Sequence, residues 1–246
     1  MNRRLTLGAL LAFGLALPAQ AQRTFPPDSL VNVKVIPRNT PVSTVIGQMR
    51  NFTSYLGVRC QFCHVGEEGK PLTEFDFVSD EKRTKLVARQ MMRMVEEINR
   101  RIDSLPERPA PLLQVTCMTC HRGVTRPVPL SALVEEAAVS AGADSAIRAY
   151  RALRERYYGS DAYNFAESSL NIAAFRVGRA GKYPDAFALL ALNEQLFPGS
   201  SGMYVFRGNI ALMSGDTTAA ATAFREAIRR DPNNEEAKLR LRTIGR

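Results

Sequence analysis

VRCQFCHVG, residues 58–66, places two cysteines and one histidine within five positions, and VTCMTCHRG, residues 115–123, repeats the pattern. The chain has four Cys and two His in 246 residues, and the pentads Cys60–His64 and Cys117–His121 use all of them. A C-x-x-C pair followed at once by His is the attachment site of c-type haem: two thiols add to the haem vinyl groups and the adjacent imidazole is placed beneath the iron. Two such pentads, exhausting both residue types, point to two covalent haems. Cys60, Cys63, Cys117 and Cys120 are then the attachment residues, and His64 and His121 the proximal ligands. A four-cysteine zinc site also uses C-x-x-C twice. That assignment leaves both histidines idle and has 53 residues between the pairs. A thioredoxin-like motif fares worse, because no βαβ pattern surrounds either pair.

With no histidine left over, methionine is the natural ligand on the opposite side of each iron. The chain has eight. Met1 falls in the leader, Met118 lies inside its own pentad, and Met203 and Met213 sit far toward the C-terminus. Met49, Met91, Met92 and Met94 remain. NTPVSTVIGQMRNFTSYLGV, residues 39–58, predicts a helix with Thr40 as N-cap, Pro41 at its first position and Gly57 just past its end. Met49 lies in the middle of its apolar face, eleven residues before Cys60. SDEKRTKLVARQMMRMVEEINRRIDSL predicts a second helix, with Ser79 as N-cap and Asp80 and Glu81 in the first turn. Its expected buried stripe is Leu86, Val87, Met91, Met94, Val95 and Ile98, with Met92 at the edge. Periodicity alone does not separate Met91 from Met94. The N-terminal half thus reads as two helix–loop–CxxCH units.

These residues resemble the cytochrome c subunit of photosynthetic reaction centres. FTSYLGVRCQFCHVG, SDEKRTKLVARQMMRMVEEIN and VTCMTCHRGVTRPVPL are similar to its motifs L-G-V-x-C-x-x-C-H, A-R-x-M-x-x-M and C-x-T-C-H-x-G over about residues 30–130. The resemblance implies an electron-transfer role and a Met ligand on the helix before each pentad. It supports Met49 and favours Met91 over Met94. The family's subunit carries four haems and one distal histidine, whereas this chain has two pentads and no spare histidine.

From about Leu130 the composition turns to Ala-rich helical segments. Pro198 and Pro232 stand 34 residues apart, and Ala174, Ala186, Leu190 and Asn193 align at the same interval with Gly208, Ala220, Phe224 and Ala227. This resembles the tetratricopeptide repeat, in which small residues let paired helices cross closely. Residues 130–159 read as a degenerate helix pair, and EEAKLRLRTIGR as a capping helix. Three pairs and a cap suit a docking surface for protein or peptide.

The expected organisation is a signal peptide at 1–21, a dihaem cytochrome c domain at 22–130 and a tetratricopeptide-like domain at 131–246, all-α throughout. The leader has Arg3 and Arg4, an apolar run from Leu5 to Leu17 and the small-x-small site Ala19–Ala21. That run is well short of the ~20 residues that span a bilayer, so an exported, periplasmic protein is expected. Loss of Arg3 and Arg4 with no acid lowers the net charge from +9 to +7. The charges are mixed along the chain, which excludes a nucleic-acid-binding run. They bias encounter toward an acidic protein face or an anionic membrane surface. The resemblance implies redox protein partners, such as a membrane-bound electron-transfer complex or reaction centre. The expected function is single-electron transfer, not enzyme catalysis. The rival class, a dihaem peroxidase-like enzyme or haem sensor, needs an open iron position with a distal acid–base group, for which no histidine is left.

Overall fold

The computed structural model describes residues 24–106 and 113–245. The expected leader lies outside the described residues. Among the described residues the chain is all-α: α1 Val42–Leu56, α2 Arg83–Asp103, α3 Cys117–His121, α4 Leu130–Tyr157, α5 Glu167–Arg179, α6 Tyr183–Leu196, α7 Ser201–Met213, α8 Thr217–Arg230 and α9 Glu235–Ile244. The one extended pairing among them is an isolated antiparallel bridge between Val65 and Asp76. No described helix is long and apolar enough to cross a membrane.

The described residues form two compact units, 24–50 with 59–94 and 51–58 with 95–106 and 113–245. This division falls elsewhere than the compositional change after Pro129. The second pentad belongs to the same unit as the C-terminal helices, and the first pentad to the other.

In that second unit the helices α4 to α9 stack in sequence order, each on its neighbour, with α5 also on α7 and α4 also on α6. Helix starts recur at the spacing read from the sequence: Glu167, Ser201 and Glu235 open α5, α7 and α9, while Tyr183 and Thr217 open α6 and α8. Side-chain caps mark the later starts, where Ser200, Asp216 and Asn234 accept from the backbone N–H of Met203, Ala219 and Ala237. Every aligned position is inside. Ala174, Ala186, Leu190, Asn193, Ala220, Phe224 and Ala227 are fully buried. Gly208 shows why the alignment demands small residues: a Cβ there would stand 2.5 Å from the Phe224 ring. α4 breaks at Ala141 and Gly142, where Gly142 takes φ 78°, so it is two helices joined by one left-handed turn. Each fully buried leucine of this stack is worth about 1.5–3 kcal/mol of transfer free energy.

The first unit is built otherwise. Few of its described residues are buried: Val45, Phe75 and the side chain of Lys85. Two expectations for α2 fail here. The helix begins at Arg83 with no acidic residue in its first turn, so Ser79 is not its N-cap. Lys85 explains the delay: its ammonium donates to the carbonyls of Phe77, Val78 and Ser79 at 2.9, 3.2 and 2.7 Å. Those carbonyls are held in a loop that wraps the lysine rather than in a helical turn. The expected stripe is also not buried by protein, since Leu86, Val87 and Met94 are 42%, 47% and 46% exposed.

Candidate haem-binding sites

The first pentad opens in a short 3-10 turn over Cys60–Phe62, closed by the Cys63 and His64 N–H groups donating to the Cys60 carbonyl. Downstream, the Asp76 N–H donates to the Val65 carbonyl at 2.8 Å, which returns the chain alongside the pentad. Phe75 packs onto Gly66 so closely that a Cβ at Gly66 would stand 2.4 Å from its ring. Phe77 stacks on Phe75 and meets the His64 ring edge-on at 4.9 Å. Thr84 of α2 donates its hydroxyl to the Phe62 carbonyl. The imidazole is thus fixed by aromatic contact, and its Nδ1 is buried with no hydrogen-bond partner.

Charge surrounds it. Asp80 accepts from Lys85 at 3.2 Å, from Arg89 at 2.9 Å and from Asn32 at 2.8 Å. Arg89, Lys85 and Asn32 hold the Asp80 carboxyl far below the usual carboxylate range. Burial first, then the Lys85 and Arg89 cations, pushes His64 down to about 4. The imidazole is therefore neutral at ordinary pH, the form that ligates iron.

The second pentad is a short helix, α3. Thr116 caps it in a reciprocal capping box with Thr119. Its approach strand is clamped by Asn99 of α2, whose side-chain amide donates to the Val115 carbonyl at 2.9 Å and accepts from the Val115 N–H at 2.8 Å. Past the pentad, Arg122 at φ 49° and Gly123 at φ 86° turn the chain back. The Val124 carbonyl then meets His121 Nδ1 at 2.8 Å. A carbonyl can only accept, so Nδ1 carries the proton and Nε2 keeps its lone pair for a metal. Sequence reasoning missed Asn99, Lys85 and Val124: Asn99 and Lys85 act on backbone brought near by the fold, and Val124 acts through a carbonyl that the turn at Arg122 and Gly123 aims at His121.

The residues present fit covalent haem. All four cysteines are free, and burial pushes the Cys63 and Cys117 thiols up, keeping them as thiols. Each pair is followed by an imidazole with an available nitrogen. Exposed apolar side chains beside the pentads, Phe62 and Met118 within them and Leu113 just before the second, offer the surface a porphyrin face needs. Among the described residues no three His, Cys, Asp or Glu side chains gather as a bare metal site requires.

Of the candidate distal ligands, Met49, Met91 and Met92 are half-buried and Met94 is exposed. At about 100° per residue, Met92 lies about 20° from the clamping Asn99 around α2, Met91 about 80° and Met94 about 140°.

The family model of the photosynthetic reaction centre cytochrome C subunit matches residues 19–155, more than half of the chain and further into α4 than the motif resemblance reached. No curated protein and no solved structure matches the chain.

Proposed function

The chain belongs to the family of the photosynthetic reaction centre cytochrome c subunit, and on that premise we propose that it is a periplasmic dihaem c-type cytochrome that passes single electrons between protein partners. The family is one of electron-transfer cytochromes with covalent haem. The observation that carries the two-haem reading is the pair of CxxCH pentads, each with its imidazole positioned: His121 by the Val124 carbonyl and His64 by Phe77.

Each haem supplies one iron that alternates between the ferric and ferrous states. The protein's part is to hold that centre still. Cys60 and Cys63 would anchor one macrocycle and Cys117 and Cys120 the other, while His64 and His121 would each offer a ring nitrogen to the iron. Met49 and Met91 would supply the second protein ligand to each iron, with Met94 the alternative to Met91. An iron held by both His and Met would have no position free for substrate, which favours electron transfer over peroxidase-like chemistry. The helical stack after Leu130 is a docking module for a redox partner such as a membrane-bound complex or reaction centre.

Mass spectrometry of the exported protein tests the reading. Two haem adducts that survive acid-acetone extraction are expected, falling to one in Cys60→Ser/Cys63→Ser and to one in Cys117→Ser/Cys120→Ser. A protein free of haem, or one carrying disulfides or zinc at these cysteines, overturns it.

A further inference from the structure

Away from the pentads, the helical stack contains a pocket of ≈ 450 Å³ between the second segment of α4 and the C-terminal turns of α6. That volume lies within the ordinary range for small-molecule sites. Its apolar side is Leu192 and Leu196. Its polar side carries two donors that the protein leaves unused. The Tyr150 hydroxyl and the Arg154 Nη1 are both buried, and neither has a hydrogen-bond partner. Tyr150 itself is 1% exposed.

Buried polar groups are almost always paired, so two unpaired donors lining one pocket call for a partner. They sit one helical turn apart on α4, on the same face. The Arg154 guanidinium rests 4.1 Å over the exposed Tyr158 ring, a contact that orients its plane without using its hydrogen bonds. Arg151 and Glu155 also line the pocket and form no ion pair among the described residues, so with Arg154 the local balance is one net positive charge. The guanidinium N–H can only donate and the phenol hydroxyl can donate as well as accept, so one acceptor satisfies both, and the net positive charge favours an anion.

We propose that this pocket binds a monocarboxylate carried on an apolar group of side-chain size. The carboxylate accepts from Tyr150 and Arg154, after a small rotation of Arg154 off the Tyr158 ring, and the apolar group lies on Leu192 and Leu196. The chemistry has two sources, a free organic acid or the C-terminal residue of a peptide chain. The site is independent of the haems.

Calorimetry on the full-length haem-loaded protein tests this with 4-methylpentanoate, N-acetyl-glycyl-leucine and the amide of each. Both acids should bind and both amides should bind at least about tenfold more weakly, since a charge-assisted pair is lost. Tyr150→Phe and Arg154→Met should each weaken the acids by roughly tenfold or more. Tyr150→Phe should leave the visible haem spectrum unchanged and raise the unliganded Tm, because it deletes an unpaired buried hydroxyl. Tenfold tighter binding of the dipeptide than of 4-methylpentanoate identifies a chain terminus as the natural ligand, and equal binding identifies the free acid. The proposal fails if neither acid binds at about 10 mM, if the amides bind equally well, or if Tyr150→Phe binds unchanged.

Discussion

Gly57, at the end of α1, meets Gly123, just past the second pentad, so closely that a Cβ on Gly57 would stand 2.1 Å from the Gly123 carbonyl oxygen. The Gly123 N–H donates to the Tyr55 carbonyl at 2.9 Å, so the two turns are locked backbone to backbone. Both glycines also have positive φ, 63° and 86°.

Gly57→Ala therefore meets strain and collision together. The left-handed conformation alone costs about 1–2 kcal/mol, and neither backbone can yield without breaking the Tyr55 hydrogen bond. Thermal or denaturant unfolding should show a loss of more than about 2 kcal/mol. A loss below about 0.5 kcal/mol would show that the contact is loose.

Met49→Ala and Met91→Ala should each leave one haem with an empty or water-filled position. Visible and near-infrared spectra would report one high-spin iron and a halved Met–ferric charge-transfer band, with a lowered potential at that haem. If Met91→Ala is silent and Met94→Ala or Met92→Ala has the effect, the ligand on α2 is reassigned. If all four are silent, the open-position reading gains.

The two haems should differ in potential. Donation from His121 to the Val124 carbonyl makes that imidazole a stronger donor and favours ferric iron. His64 lacks such an acceptor and feels the Lys85 and Arg89 cations, which disfavour the more positive iron. Redox titration of the two single-haem variants should place the centre held by His64 above the one held by His121. The opposite order would mean that distal ligands or solvent exposure outweigh the proximal hydrogen bond.

Asp80 gives an acid limb to stability. Its carboxyl is depressed in the fold, chiefly by Arg89 and Lys85, so its contribution is complete above the unfolded value near 3.8 and is lost as pH falls below it. Asp80→Asn should lower Tm at pH 7 and flatten its decline below about pH 4. A parallel decline in variant and parent would place the acid sensitivity elsewhere.

The sequence by itself determined the chemistry and the repeat. Cys60–His64 and Cys117–His121 are local words whose meaning lies in spacing alone, and the 34-residue interval fixes which faces of α5 to α9 go inward because a helix's period is local. α1 likewise ends where Gly57 says it should. Tertiary structure decided the rest. Ser79 has the chemistry of a cap, yet α2 starts at Arg83 because a lysine further along gathers the carbonyls of residues 77–79. The proton on His121 is set by Val124, and the approach to the second pentad by Asn99. Composition changes after Pro129, and the compact units separate within α1 and α2. Composition registers what each segment can form, whereas a unit is defined by which segments touch. Contacts such as Gly57 on Gly123 join residues 66 positions apart, and no local pattern encodes them.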